Sequence, residues 1–349
     1  VGSNIRIFTY GMTVKRILPR LNEDINEEWI SDKTRYACDG LSTQRLDTPY
    51  IRQKGKLVPC TWDQAFEAIA HHLKGKKPES IGALVGDLTD CESIKALQDL
   101  TDALKIANRD CRLDSQALEA GERSGYIFNT TIAGIENADA CLIIGSNVRA
   151  DAAMVHARLR KRYLMGNFKI AYVGGTLPKD RDFTYAYDNL GNNPAVLEDI
   201  LNGKHPFSTT LKGAKNPMII IGDAALIRSD GNHLWMLARE LAEKYKMIRD
   251  DWNGFNVLHH AASRVGALDL GFTPGKGGLN TADIIKACAK GTIDTLYLLG
   301  ADAIDFSKLA KTFIIYQGHH GDEGAHHAHV ILPGAAYTEK TATYVNTEG

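Results

Sequence analysis

Five histidines crowd one short stretch, YQGHHGDEGAHHAHVILPG, where His319, His320, His326, His327 and His329 stand beside Asp322 and Glu323. Imidazole nitrogens together with carboxylate oxygens suit zinc. If residues 327–332 form a strand, His327 and His329 share one face, a workable two-ligand spacing. The run matches no recognised metal-site spacing, and histidines of glycine-rich loops are ordinarily solvated, so the expectation is that no metal is held here. The six cysteines, Cys38, Cys60, Cys91, Cys111, Cys141 and Cys288, include no C-x-x-C pair. Zinc and iron–sulfur sites need closely spaced thiols, because one loop must present two ligands to one ion. A chain of this length and core content needs no disulfide staples, so free thiols in a reducing compartment are the better reading.

Phosphate chemistry is no better supported. GFTPGKGG (271–278) has three residues between Gly271 and Gly275, and Gly277 follows Lys276, whereas a P-loop needs four residues and then Ser or Thr after its lysine. A plain loop is expected there. Glycines close several apolar runs, yet none extends into G-x-G-x-x-G, and tight turns account for them. No Ser/His/Asp order, nucleophile elbow or paired-carboxylate pattern stands out. Acidic groups such as Glu23-Asp24 and Glu27-Glu28 read as solvated coil. The residues by themselves therefore point to no catalytic and no cofactor-binding side chain.

The elements that would position any site are clearer. Apolar runs ending at glycine occur at 81–86, 141–145, 170–174, 218–222, 296–300, 313–318 and 329–334. Four to six apolar residues without polar alternation suit strands buried on both faces. Between them, Thr61 and Gln64 form a capping box before Phe66, Ile69 and Leu73 on one helical face. Ile94, Leu97, Leu100 and Leu104 make a second stripe, and Leu234, Leu237 and Leu241 a third. Segments 151–165, 255–267 and 281–289 are further candidate helices. Such alternation predicts an α/β fold with doubly wound parallel sheets. Residues 1–50 differ: two strands around Gly11 and Met12 suggest a β-hairpin, followed by polar coil, as a small separate lobe.

The 349 residues fit about two domains, and a hydrophobic content of 44% allows a sizeable core. Lys plus Arg number 41 against 42 Asp plus Glu, which gives no electrostatic reason to expect nucleic acid or an anionic membrane surface as partner. No apolar stretch approaches the roughly 20 residues of a membrane-spanning helix. The chain begins at Val1 without a signal sequence, as though cut from something longer.

Three stretches carry a resemblance: VGSNIRI (1–7) with ILPRLNEDINEEWISDKTRYACDGL (17–41), NTTIAGIENAD (129–139), and IIYQGHHGDEGAHHAHVILPGAAYTEKTATYVNTEG (314–349). They resemble the second half of the largest iron–sulfur subunit of respiratory complex I, a family that includes the corresponding subunit of the bacterial NADH–quinone oxidoreductase. That family is similar in fold to formate dehydrogenases and nitrate reductases, and the resemblance implies a molybdopterin-enzyme fold that has lost its cofactor. It also implies that iron–sulfur clusters belong to a preceding cysteine-rich segment, in the same or a separate chain. Some relatives hold an additional cluster at the start of this half. Here the positions that look equivalent carry Ser3 and Ser31, and isolated Cys38 cannot replace the missing thiolates. That departure points to the alphaproteobacterial or mitochondrial branch, and the mitochondrial one is favoured.

The resemblance implies a small β lobe over 1–55, one α/β domain from 56–138 with 292–349, and a second, inserted domain over 139–291. The implied role is a scaffold of the complex I peripheral arm, with no catalytic, cofactor or metal residues of its own. It would lie on the matrix side of the mitochondrial inner membrane and touch the membrane only through the complex. Its partners would be the cluster-bearing segment and other peripheral-arm subunits. Two alternatives stand beside it. One is a molybdenum or tungsten pterin oxidoreductase using Cys111 or Ser115 as metal ligand. The other is a zinc-binding interaction module formed by the His319–His329 loop.

Overall fold

A computed structural model describes residues 1–118 and 121–349. All seven glycine-terminated runs form strands, because each can bury both faces only inside a layered sheet. The chain opens with a hairpin of β1 (Ile5–Tyr10) and β2 (Thr13–Pro19). It continues through β3 (Tyr50–Gln53), β4 (Lys56–Pro59), β5 (Ile81–Val85) and β6 (Asn108–Asp110). Next come β7 (Ala140–Ile144), β8 (Lys169–Val173), β9 (Asp188–Asn189) and β10 (Pro217–Ile221). A small hairpin, β11 (Ile248–Arg249) with β12 (Trp252–Asn253), precedes β13 (Phe255–Val257). The last strands are β14 (Thr295–Leu299), β15 (Phe313–Gly318) and β16 (Val330–Pro333).

Two main sheets result. The larger has the order β4-β3-β16-β15-β14-β5-β6, parallel from β16 to β6, with β3 and β4 antiparallel at one edge. The smaller, β13-β10-β7-β8-β9, is parallel throughout. Residues from both, including Val85, Leu142 and Ile221, share one apolar core with Val265, Leu268 and Phe272. The direction of winding reverses within each sheet, between β5 and β14 in one and between β7 and β10 in the other. Register brings Val85 level with Leu299, and Ile144 level with Ile221, so the turns that follow converge. Such switch points are where open α/β sheets form crevices. Gly86 shows how close the approach is: a β-carbon there would overlap the Gly300 carbonyl.

The helix Trp62–Leu73 carries the expected capping box: the Gln64 N–H donates to Thr61 Oγ1 (3.2 Å) and the Thr61 N–H to Gln64 Oε1 (2.9 Å). Its inward face keeps Ile69 of the expected stripe but not Phe66. Ala65 is buried, with Ala68 and Ile69 beside it, while Phe66 stands in solvent against Trp62. The cap is solvent-exposed and local, so Thr61→Ala should lower stability by about 1 kcal/mol, read from the urea midpoint at unchanged slope. A change within error would mean that water replaces the cap.

Three other expectations are corrected. The 255–267 segment is not one helix: β13 comes first, and the helix spans Arg264–Asp269. Fully buried Asn256 explains this, since its side chain accepts from the Thr130 N–H (2.9 Å) and donates to the Ile219 carbonyl (3.1 Å), tying the strand to β10. The polar stretch after the hairpin is partly helical, over Asp32–Tyr36 and Ala37–Ser42. Finally, β3 lies within 1–55 yet belongs to the larger sheet, where Ile51 pairs with Val330. The lobe proper centres on Ile17, Ile30 and Cys38.

Candidate functional site

The carboxyl ends of β5, β14 and β15 enclose a crevice of about 380 Å³. Asp87, Asp90 and Asp302 reach it from the turns after β5 and β14. Asp90 caps the helix Cys91–Ala103, accepting from the Ser93 N–H (2.9 Å), and Lys340 Nζ sits 2.5 Å from its other oxygen. Burial alone would raise this carboxyl, but Lys340 and Ser93 together hold it below the ordinary value. Burial raises Asp302, although the Tyr316 hydroxyl and the Gly324 N–H both donate to it at 2.9 Å. Burial likewise raises Asp87, against the pull of Arg264.

A second crevice, about 360 Å³, lies at the ends of β7, β8 and β10, with Ser146, Asp151 and Tyr172 in its lining. A polar chain joins the two across the gap between the sheets. Ser146 donates to Asp151 (3.0 Å), whose other oxygen lies 3.4 Å from His260 Nε2. His260 Nδ1 pairs with Asp223, which also accepts from the Gln116 side chain. Gln116 Oε1 accepts from Arg264 NH1 (2.5 Å), and Arg264 NH2 reaches Asp114 at 3.1 Å and Asp87 at 3.9 Å. Arg264 is 1% exposed. Its hydrogen bonds to Asp151 and Asp223, which accept, push the His260 imidazole up to about 10, so it stands as a cation between two carboxylates. Its neighbour His259 goes the other way, to about 4, because it is fully buried.

The chemistry of these donors decides whether a pterin dinucleotide fits. Its pyrophosphate requires N–H donors and spare cations at strand-end turns. Here those turns present Asp87 and Asp90 after β5, Asp151 after β7, Asp223 after β10 and Asp302 after β14. The cations within reach, Lys340, Arg264, Arg228 and His260, are each already bound to carboxylates. The residues present do not fit the group. Neither alternative metal ligand lines the two crevices. Cys111 is buried in the core shared by the sheets, and burial pushes its thiol up to about 12. Ser115 lies on a separate groove beside Thr281 and Lys286.

The histidine run disperses. His327 ends the short helix Glu323–His327 and His329 precedes β16, so they do not share a strand face. His327 stacks on Phe306 (4.8 Å), His329 stacks on Phe313 (4.8 Å) and accepts from the Ile314 N–H (3.1 Å), and His326 is exposed. His319 and His320 touch through their Nδ1 atoms, while His320 Nε2 donates to the Gly40 carbonyl (2.8 Å). Among the described residues no group of three or more His, Cys, Asp or Glu side chains is arranged to hold a metal ion. Ser31 caps its own helix through the Thr34 N–H (3.2 Å), and Cys38 packs into the lobe core. Residue types and spacing do not single out the inter-sheet chain. The available hint is Arg264 inside the apolar SRVGAL segment, shortly after paired His259 and His260.

Comparison with known proteins agrees with this architecture. The sequence profile of the molybdopterin oxidoreductase family matches residues 45–349. That of the NADH-ubiquinone oxidoreductase NDSU1/NuoG-like 4Fe-4S domain matches residues 1–39. A NADH-quinone oxidoreductase subunit of Rickettsia bellii is 45% identical over all of this chain and 49% of its own length. The mitochondrial NADH-ubiquinone oxidoreductase 78 kDa subunit of Neurospora crassa is also 45% identical, over 46% of its length. The chain thus spans about half the length of the curated relatives it matches. In fold it is similar to acetylene hydratase from Pelobacter acetylenicus, with a TM-score of 0.71 and 12% identity over 99% of this chain and 63% of that one. It is also similar to a chain of the formyltransferase/hydrolase complex of Methylorubrum extorquens, with a TM-score of 0.57 and 17% identity over 86% and 92%.

Proposed function

The chain belongs to the molybdopterin oxidoreductase family, and from that premise we propose that it serves respiratory complex I as a structural domain without a redox centre of its own. The observation that carries this reading is the chemistry of the strand-end segments, which present Asp87, Asp90, Asp151, Asp223 and Asp302 while the cations within reach are already paired with carboxylates. Residues 1–39 match a profile named for a 4Fe-4S domain, yet Cys38 is the sole thiol among them. One thiol cannot supply the set of thiolates that holds such a cluster.

On this reading no residue of the chain is catalytic. Electrons from NADH to quinone pass through clusters in a cysteine-rich segment of the same subunit or in a partner chain, and this domain packs against them and excludes water. The two sheets support a division into 56–138 with 292–349 and 139–291, with the first of these reaching back to include β3. No helix among the described residues is long and apolar enough to cross a membrane. A peripheral place on the matrix side of the mitochondrial inner membrane, in contact with lipid only through the complex, is part of this reading and is supported by the mitochondrial relative.

Iron, acid-labile sulfide and molybdenum analysis of the purified chain, with electron paramagnetic resonance after dithionite, tests the reading. Substoichiometric metal and no reducible signal are expected. A stoichiometric centre, bound pterin, or turnover of formate or nitrate would overturn it in favour of a pterin oxidoreductase.

A further inference from the structure

The hairpin of β1 and β2 is a two-stranded ribbon that pairs with no other strand. Two strands alone are marginally stable in water, and this pair is held at its base only. Ile17 packs inward with Ile30 and Cys38, while Ile5 and Val14 lie partly covered beside them. The opposite face is bare, and on the near face Ile7 is also exposed. Alternation along β1 puts Arg6, Phe8 and Tyr10 on that face, and the register sets Arg16 across from Phe8. All four side chains are exposed, and beyond them Met12 at the turn is fully so. The Arg16 guanidinium lies 4.8 Å from the centre of the Phe8 ring, which holds both in one arrangement before any partner arrives.

Arginine and tyrosine are the side chains that carry binding energy at protein interfaces, and here they alternate on a preformed strand. Charge defines the partner further. The first 22 residues contain Arg6, Lys15, Arg16 and Arg20 and no acid before Glu23. We infer that this face docks on an acidic protein surface with an apolar recess for Tyr10 and Met12, contributed by a neighbouring subunit. The inference rests on the proposed role inside a multi-subunit assembly. A second copy of the chain is disfavoured because two such basic faces repel. A lipid surface is disfavoured because both outer strand edges leave backbone N–H and C=O groups unpaired, which hydrocarbon does not tolerate.

Carbodiimide joins an amine directly to a carboxylate, so it reads the partner's chemistry. In the complex purified through this chain, Lys15 should couple to an Asp or Glu of another polypeptide, identified by mass spectrometry and lost in Lys15→Arg. The pair Arg6→Glu and Arg16→Glu should lower retention of the chain roughly tenfold at moderate salt, and Tyr10→Ala by a similar factor. These positions are exposed, so the variants should unfold like the unaltered chain. Coupling of Lys15 only to this chain or to a second copy would overturn the inference, as would sedimentation with phosphatidylserine vesicles that the charge reversals abolish. Should complex I subunits copurify while Lys15 stays unlinked, the docking face falls and the scaffold role stands. Should none copurify with the unaltered chain, the scaffold role itself falls.

Discussion

Arg264→Ala should lower the free energy of unfolding by about 3–5 kcal/mol, the range found when one partner of a buried ion pair is removed. The guanidinium is 1% exposed and binds Gln116 (2.5 Å) and Asp114 (3.1 Å), with Asp87 at 3.9 Å. Without it, Asp114 and Asp87, each partly open to water, lose their buried cation, and buried Asp223 loses the charge that reaches it through Gln116. The Gln116 side chain also loses its donor while still bound to Asp223. Arg264→Lys keeps the charge but cannot make the two-armed contact, so its cost should fall between zero and that of alanine. Urea unfolding at pH 7, followed by tryptophan fluorescence, measures both. A loss below about 1 kcal/mol for alanine would mean that the gap between the sheets is hydrated and the chain of polar groups is not structural.

Acid should destabilise the protein well before its carboxylates titrate. Burial pushes His259 and His156 down to about 4, against about 6.5 for an unfolded histidine. Between these values the unfolded chain takes up a proton at each site that the folded chain does not, so stability falls as pH falls. Each site contributes up to about 1.4 kcal/mol per pH unit, and the pair roughly 3. His260 behaves oppositely. Held up to about 10, it contributes fully below about 6.5 and loses that contribution as pH rises through 10. Its side chain is 46% exposed, so solvent screens this effect and the alkaline slope should be the shallower one. Stability should therefore peak near neutrality and drop steeply towards pH 4. The variants His259→Gln and His156→Gln should each flatten the acid limb; if neither does, the buried histidines are not its cause. His259 donates to the Tyr126 carbonyl (2.5 Å), a bond glutamine can also make.

The two-sheet fold was legible in the residues to a large extent. Runs such as MIII and CLII are apolar at every position, a pattern that only a strand covered on both faces can satisfy, and all seven became strands. The Thr61–Gln64 capping box was equally readable, because both of its bonds close within four residues. Missed elements share one property. Polar β6 exists because Asn108 donates to the Glu79 and Ile81 carbonyls and accepts from the Leu279 N–H, contacts made across distant parts of the chain. β13 is held in the same way by Asn256. At the outward face of Trp62–Leu73, Phe66 is exposed while Ala65 holds the buried position against Ile315, Val330 and Leu332, a choice made by how the helix docks on the sheet.

The amino-acid order by itself determined which segments are buried strands and that no thiols are spaced to hold a cluster. Both are properties of neighbouring residues, readable from period and spacing alone. Only the tertiary structure decided that the histidine run disperses and that Ser146, Asp151, His260, Asp223, Gln116 and Arg264 form one chain. Those six residues come from four separate stretches of the sequence, and what unites them is parallel register, which sets the ends of β7 and β10 level and turns their polar groups into a common gap. Charges so placed lower or raise one another only through space, and distance in space is what a linear order of residues does not contain.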